Sequence, residues 1–174
     1  MVLAIVGLLA AIALPNLDVQ RYRVDSAART LSSTLLGAQR QAVSQHHDVV
    51  VSFDLGANNL RVHSDNDNNG EVGSGERVRV VSLGENVVFG SGSAPAHSVG
   101  VGPVTFVRRS AAGHPAVTFR RSGSASEAGG AYVTSRRAVN TGTHPEDSRL
   151  VTVEHSTGRP SLLRYLHGAW EQQF

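Results

Sequence analysis

Hydrophobic and polar residues follow two patterns in the first part of the chain. Residues 1–14 include no charged or polar side chain. From Asn16 to about His47, apolar residues recur at alternating steps of four and three, which places them on one face of a helix. Pro15 stands between the two patterns, where it should kink a continuous helix. We therefore predict one long helix over residues 1–47, apolar in its first half and amphipathic in its second. The predicted packing stripe is Val24, Ala28, Leu31, Leu35, Ala38 and Ala42.

A third pattern begins after His47, where short β-branched runs are separated by Gly, Asn and Ser. Residues 140–148 have the composition of a loop. The fold class that we predict is α+β, with the N-terminal helix packing its apolar stripe on an antiparallel β-sheet domain of residues 48–174. The runs predict strands over residues 49–53, 60–63, 78–83, 87–89, 104–107, 117–120, 131–134, 150–153 and 162–165.

The N-terminal apolar segment matches neither of two common targeting elements. A membrane-spanning helix needs about 20 apolar residues to cross roughly 30 Å of hydrocarbon, so residues 1–14 alone are too short. A secretory signal should begin with positive charge, whereas Met1 is followed directly by apolar residues. Ala11-Ile12-Ala13 could serve as a cleavage site, so a cleaved signal stays an alternative.

Composition narrows the possible chemistry. The chain of 174 residues has room for one domain with a core and an appendage, and it contains no cysteine, which excludes disulfides and thiolate metal sites. Every one of its 16 basic residues is Arg, but the formal charge is only +2. The eight His residues are scattered, and no motif for a zinc protease, a serine hydrolase or a carboxylate pair is present. We therefore predict that the protein is not an enzyme.

Three stretches carry a resemblance to a known family. They are VLAIVGLLAAIALPNL at residues 2–17, AVTFRRSGSAS at residues 116–126, and Thr157-Gly158-Arg159. The first is similar to a prepilin-type helix in which an apolar run ends at a proline, and the others are similar to turns near the end of a pilin-like domain. In this order they resemble the GspH/FimT-type minor pseudopilins of the type IV pilin-like superfamily. The resemblance covers nearly the whole chain and implies a pilin-like fold.

One departure concerns the N-terminus. Precursors of this family begin with a short basic leader, a Gly at the peptidase site, a Phe or Met that becomes methylated, and a Glu a few residues later. None of these is present, because Met1 lies inside the apolar run. We expect the true start to lie upstream, since added apolar residues would bring the run to the length of a bilayer. The other interpretation is a product that has lost its processing.

The resemblance implies a structural subunit of a type II secretion pseudopilus or a type IV pilus that acts in protein secretion by filament or tip assembly. It implies a single-pass anchor in the bacterial inner membrane, with the membrane or filament half at about residues 1–20 and a periplasmic domain at residues 48–174. The implied partners are other pseudopilins or minor pilins, contacted through the helix, and membrane lipid before assembly. One alternative is a FimT-like minor pilin that binds DNA for uptake, and another is a soluble secreted calcium-binding β domain.

Residues 65–76, DNDNNGEVGSGE, fit the calcium-loop pattern D-x-[DN]-x-[DN]-G-x5-E. Ca²⁺ takes six to eight oxygen ligands, with a Gly for the sharp turn and a bidentate carboxylate at the twelfth position. Strand-like segments flank the loop, so we predict a calcium loop in a hairpin. An ordinary polar turn is the alternative. The candidate ligands are the side chains of Asp65, Asp67, Asn69 and Glu76 and the backbone carbonyl of Glu71.

The Arg residues suggest a second candidate site. A FimT-like relative would grip DNA with a Gly-Arg-x-Arg turn; here the turn reads Gly158-Arg159-Pro160-Ser161, with Arg164 nearby. Because clustered Arg can hold phosphates, Arg159 and Arg164 are candidates for DNA binding. The Arg pairs at residues 108–109, 120–121 and 136–137 would point to opposite faces if they lay in strands. Solvated surface and ion pairs with acidic residues are the alternative for all of them.

Overall fold

The computed structural model describes residues 19–173. The kink at Pro15 and nearly all of the predicted membrane or filament half lie outside these residues. Two α-helices are present in the described part, α1 at Val19–Gln45 and α2 at Arg136–Thr141, with a 3-10 turn at Pro145–Asp147. The strands are β1 Asp48–Asp54, β2 Asn59–Asp65, β3 Val78–Ser82, β4 Val87–Phe89, β5 Ala116–Phe119, β6 Gly129–Ser135, β7 Arg149–Val153, β8 Pro160–Leu166 and β9 Ala169–Gln173.

Helix α1 buries one face along its whole described length. The buried residues include the six of the predicted stripe, and they are Val24, Ala27, Ala28, Leu31, Thr34, Leu35, Ala38 and Ala42. Spacings of three and four residues bring them onto one side because an α-helix turns once in 3.6 residues. The helix ends before His46, whose backbone lies in the left-handed region at φ 61°. The described helix is therefore the amphipathic half of the predicted element.

The strands form two antiparallel sheets that share α1 as a common cover. The first sheet has the order β3-β2-β1-β5, and the second has the order β4-β6-β7-β8-β9. Helix α1 contacts strands of both sheets, chiefly β1, β6, β7 and β8. Phe53, Phe89 and Phe106 pack in the core, with ring centroids 5.4 Å apart for Phe53 and Phe106. The structure thus has the predicted class, one helix packed on antiparallel sheets.

Loops cover the outer faces of both sheets. Val50 and Ser52 on the outer face of β1 are buried, although Val49 and Val51 are the residues that face α1. On β6, the hydroxyl of Tyr132 accepts a 2.8 Å hydrogen bond from the backbone N–H of His97 and donates a 2.9 Å bond to the carbonyl of Gly100. The central strands are therefore buried on both faces, which explains their continuous apolar runs.

Three element predictions were wrong. Residues 104–107 form no strand; Val104 makes an isolated bridge to Ala131, while Phe106 fills the core. Residues 140–148 are not a plain loop, because α2 ends there and the 3-10 turn follows. Helix α2 is capped by the side chain of Ser135 and by Gly142 in the left-handed region.

The third wrong prediction is the missing last strand, β9. Its residues, AWEQQ, have little β-branched character, so intrinsic preference did not mark them. His167 and Gly168, both at positive φ, make the tight turn that brings β9 back onto β8. The strand therefore forms because the turn supplies a pairing partner. Neither of the two described helices combines the length and the apolar character that crossing a membrane requires.

Candidate functional site

The 65–76 loop joins two paired strands and folds over the outer face of the first sheet. Strand β2 ends at Asp65, β3 begins at Val78, and the two pair in antiparallel register with His63 opposite Val78. A cavity of about 50 Å³ beneath the loop is lined by residues of β1 and β2 together with Gly70, Val72 and the 110–112 segment. The predicted hairpin context of the loop is therefore present.

Three carboxylates of the loop converge. One oxygen each of Asp65, Asp67 and Glu76 can be chosen so that all three lie within 4.8 Å of one another. Asp65 is only 2% exposed, and its two oxygens accept backbone hydrogen bonds from Asn69 at 3.0 Å and Gly70 at 2.8 Å. Asp67 accepts from the backbone N–H of Asn69 at 3.2 Å. Backbone donors thus hold the carboxylates in place.

Glu76 closes the loop from its other end. Its carboxylate accepts hydrogen bonds from the backbone N–H groups of Gly73 and Asn66, each at 2.7 Å, and from Nε2 of His63 at 2.8 Å. The Gly73 N–H and then the His63 ring lower the pKa of Glu76 from 4.5 to about 2. Glu76 is therefore a carboxylate throughout the neutral range. Because an ionised carboxylate only accepts, His63 is the donor of this bond.

The oxygens of Asp65, Asp67 and Glu76, three of the five predicted ligands, converge and suit a hard cation. The side-chain oxygen of Asn69 accepts a 2.6 Å bond from the backbone N–H of Glu71, and its amide nitrogen donates to Asp67 at 2.8 Å. A carboxylate has about four acceptor sites, so Asp65 and Glu76 can accept backbone hydrogen bonds and still coordinate a cation. Oxygen-only ligands fit Ca²⁺ better than they fit transition metals.

His63 is the residue of this site that the sequence did not indicate. It is buried at the end of β2, and its ring meets Glu76 across 13 positions of the chain. The calcium pattern specifies only residues within the loop, so a supporting ring on the strand beneath it leaves no local signal. Only the pairing of β2 with β3 brings the two side chains together.

The predicted DNA-binding residues lie beside acids. Arg164 on β8 is directly opposite Glu171 on β9 in the strand register. Arg159 lies in the turn before β8, where its charge acts on the carboxylate of Glu154. Opposite charges that lie across a strand pair or close by attract one another. The acids therefore weaken the positive potential that would attract a phosphate to these Arg side chains. DNA binding at this turn stays a prediction.

The three Arg pairs do not lie within strands, so the strand argument about their directions does not apply. Arg108 and Arg109 line a groove of about 310 Å³ together with acids of the 65–76 loop. Arg120 and Arg121 enter the turn after β5, and Arg136 and Arg137 begin α2. Arg137 donates to both oxygens of the buried Asp147, at 2.8 and 3.0 Å. Among residues 19–173 only Arg137 of these six has a recorded ion pair, and the three pairs lie in different parts of the fold.

Comparison with known proteins decides the family. A protein-family model described as Type II transport protein GspH matches residues 27–157 of the chain. The chain belongs to the GspH family.

The match begins inside α1, at Ala27, and ends at Thr157, so it includes the helix and seven strands but not β8 and β9. The fold is also similar to that of the minor pseudopilin EpsH from the type 2 secretion system of Vibrio cholerae. The TM-score is 0.52 at 15% identity, with 82% of this chain and 97% of that chain covered. No curated protein matches the chain at a significant level.

The turns that resemble the GspH family meet in space. The carbonyl oxygens of Gly123 and Thr157 both accept hydrogen bonds from the side-chain amide of Gln39 on α1, at 3.4 and 3.1 Å. The backbone N–H of Ala125 donates a 2.9 Å bond to the carbonyl of His155. The two turns and the helix therefore form one contact, in which Gln39 ties α1 to both sheets. The turns at residues 120–123 and 155–158 therefore mark a structural junction.

Proposed function

We propose that this GspH-family protein is a minor pseudopilin, a structural subunit that acts in type II secretion by joining a pseudopilus or its tip complex. The observation that carries the proposal is the family match over residues 27–157, which spans most of the helix and strands of both sheets. A subunit that acts by assembly needs surfaces that contact other subunits, where an enzyme needs an active site. The proposed partners are other pseudopilins, and the proposed location is the inner membrane with the β domain in the periplasm.

The placement of α1 supports this proposal. One face of the helix is buried on the two sheets, while near its start Val19 and Tyr22 are exposed, Tyr22 at 76%. Residues 1–14, which precede this end, are entirely apolar. The exposed side chains of Val19 and Tyr22 offer a surface for another subunit, because exposed apolar patches mark interaction sites.

The absence of cysteine in the chain permits a clean cross-linking test. In bacteria that lack the chromosomal copy, full-length protein carrying Tyr22→Cys is expressed with single-cysteine versions of the other pseudopilins of the same system. We expect cross-links from this position, and we expect secretion to the medium to be restored. The matched control is Val101→Cys, at a site that is 88% exposed but far along the chain in a surface loop.

Two results would contradict the proposal. Equal cross-linking from both positions would show random collision, and unchanged secretion after deletion of the gene would show that the protein has no part in type II secretion. Loss of pilus-dependent motility in place of secretion would indicate the type IV pilus alternative.

We also propose that the 65–76 loop binds Ca²⁺. The specific observation in favour is the convergence of Asp65, Asp67 and Glu76 within 4.8 Å. The ion would neutralise three carboxylates that otherwise repel one another, and this would hold the loop against the outer face of the sheet. Asp65, Asp67 and Glu76 are the residues that would hold it.

Calorimetry on the full chain in detergent tests this second proposal. We expect heat of binding when Ca²⁺ is added to the wild type and its loss in Asp67→Ala, because Asp67 is exposed and its recorded hydrogen bonds go only to Asn69 of the same loop. Asn66→Ala is the matched control, since Asn66 occupies an unspecified position of the pattern. Absence of binding heat at millimolar Ca²⁺, or equal heat in Asp67→Ala, would leave the loop as an ordinary polar turn.

A further inference from the structure

Strand β3 is an open edge of the first sheet. It pairs with β2 on one side, and no other segment within residues 19–173 pairs with its second side. Its sequence, VRVVS, contains no Pro, and the register with β2 is continuous from Val78 to Ser82. An unpaired strand of this kind presents a row of free N–H and C=O groups to any chain that can pair with it.

The alternation of hydrogen bonds between β2 and β3 identifies which backbone groups of β3 are free. The backbone N–H of Ser64 donates to the carbonyl of Arg77 at 2.9 Å, and the N–H of Leu83 donates to the carbonyl of Asn58 at 3.1 Å. In an antiparallel pair, bonded residues alternate with non-bonded ones. Odd-numbered residues of β3 therefore face β2, while Val78, Val80 and Ser82 direct their backbone groups to the open side.

Side chains at this edge have a definite chemical pattern. Val80 is 57% exposed, and it lies on the opposite face of the strand from Arg77 and Arg79. In the register Arg79 is opposite Val62, and Arg77 bonds to Ser64, so neither faces an acid on β2. Among residues 19–173 no ion pair involves Arg77 or Arg79. The edge therefore combines uncompensated positive charge on one face with an apolar side chain on the other.

We propose that the β3 edge receives an added β-strand from another pseudopilin, with acidic side chains opposite Arg77 and Arg79 and an apolar side chain opposite Val80. Backbone hydrogen bonds to Val78, Val80 and Ser82 would supply affinity, and the alternating side chains would supply selectivity. Cross-strand pairs of opposite charge are stabilising, so the partner strand alternates acidic and apolar residues. This inference rests on the proposed function, because it names a contact within the same assembly.

A second copy of this chain is a poor occupant of the edge. A two-fold pairing of two β3 strands centred on Arg79 would place the two Arg79 side chains directly opposite each other. A pairing centred on Val80 would place them on a diagonal, still within the reach of long side chains. Like charges are destabilising in these two registers, which centre the pairing on the middle of β3, so an acidic strand fits the edge better than a second copy does.

Amide hydrogen exchange on the full chain in detergent tests the proposal. The probe is a short synthetic peptide of alternating Glu and Val, and the control peptide has Lys in place of Glu. We expect the amides of Val78, Val80 and Ser82 to exchange about tenfold more slowly with saturating acidic peptide. The amides of Arg79 and Val81 already donate within the sheet and should change little. The Lys peptide should have no effect.

Two variants check the geometry. Arg79→Glu should weaken binding of the acidic peptide by about tenfold, because it reverses a directly opposed charge. Val80→Pro removes one outward N–H at a position where an edge strand tolerates proline. Arg159→Glu, with the same charge change far from β3 along the chain, is the control and should bind normally.

Unchanged exchange with the acidic peptide, or equal effects of both peptides, would overturn the inference and leave Arg77 and Arg79 as charges that merely protect the edge. A dimer of the wild type that Arg79→Glu strengthens would also overturn it, in favour of a second copy. If Tyr22→Cys still cross-links to other pseudopilins, only this inference fails. If that cross-linking and secretion both fail, the proposed function fails.

Discussion

At the scale of single residues, Gly158 shows how one position can hold two turns of the two sheets together. Its backbone is in the left-handed region at φ 62°, and a Cβ at this position would overlap the carbonyl oxygen of Gly123. The same carbonyl accepts the bond from Gln39. Glycine is required here for two independent reasons, backbone conformation and close approach of another backbone.

Gly158→Ala should lower the free energy of unfolding by about 3 kcal/mol, because left-handed strain and steric overlap add. Gly142→Ala is the matched control: its φ is 64°, but nothing lies within 4 Å of the added Cβ. The control should cost only about 1 kcal/mol. Urea unfolding of the three proteins measures the difference, and equal losses in both variants would show that the approach of Gly123 is unimportant.

At the scale of elements, the 65–76 loop is held by hydrogen bonds to carboxylates more than by apolar contacts. Asp65 anchors the first half, and Glu76 fixes the second half to Asn66, Gly73 and the ring of His63. Both acids are nearly inaccessible to water. The bonds to Glu76 favour its ionised form, so the closure of the second half of the loop depends on pH.

Glu76 should make the protein less stable as the pH falls from 4.5 to about 2. Its pKa is lower in the folded state, so the unfolded chain takes up the proton first, and the stability present above pH 4.5 is lost across this window. As the pH falls over the same range, Glu76→Gln should lose less of its free energy of unfolding than the wild type loses. Urea midpoints between pH 5 and 2.5 measure this, with the exposed Glu85→Gln as control. Parallel curves for wild type and Glu76→Gln would refute the prediction.

At the scale of the whole molecule, ion pairs orient the start of α1 on the second sheet. Arg149 on β7 is 2% exposed, and its Nε donates a 2.6 Å bond to Asp25 of α1. Its Nη1 donates to the carbonyls of Glu146 and Ser148. Arg21 of the helix donates to Glu146 at 2.8 Å. Apolar contacts dominate further along the helix, so charge fixes the angle at one end and burial fixes the rest.

Asp25→Asn should destabilise the fold by about 2 kcal/mol, because it leaves the buried guanidinium of Arg149 without its counter-charge. The control is the double variant Asp25→Asn with Arg149→Met, which removes both charges and should be more stable than Asp25→Asn alone. Thermal unfolding at constant pH compares them. If the double variant loses as much stability as Asp25→Asn and Arg149→Met lose together when each is made alone, the two residues are not coupled.

Local patterns allowed much of this architecture to be predicted. The spacing of Leu31 and Leu35 in α1 indicates a buried face, because a helix repeats every 3.6 residues whatever it packs against. The calcium pattern likewise lies within 12 consecutive residues, so its carboxylates are neighbours by sequence alone. The prediction of a strand over residues 104–107 was wrong because β-branched residues also fill cores without pairing.

The sequence by itself determined the helix with its buried stripe, most strands, the polar loop between β2 and β3, and the resemblance to the GspH family. All of these depend on residues close together in the chain. Only the tertiary structure decided that the strands divide into two sheets, that His63 supports Glu76, that Arg149 meets Asp25, and that β3 has a free edge. Each depends on contacts between distant segments, and local preference carries no information about which segments will meet.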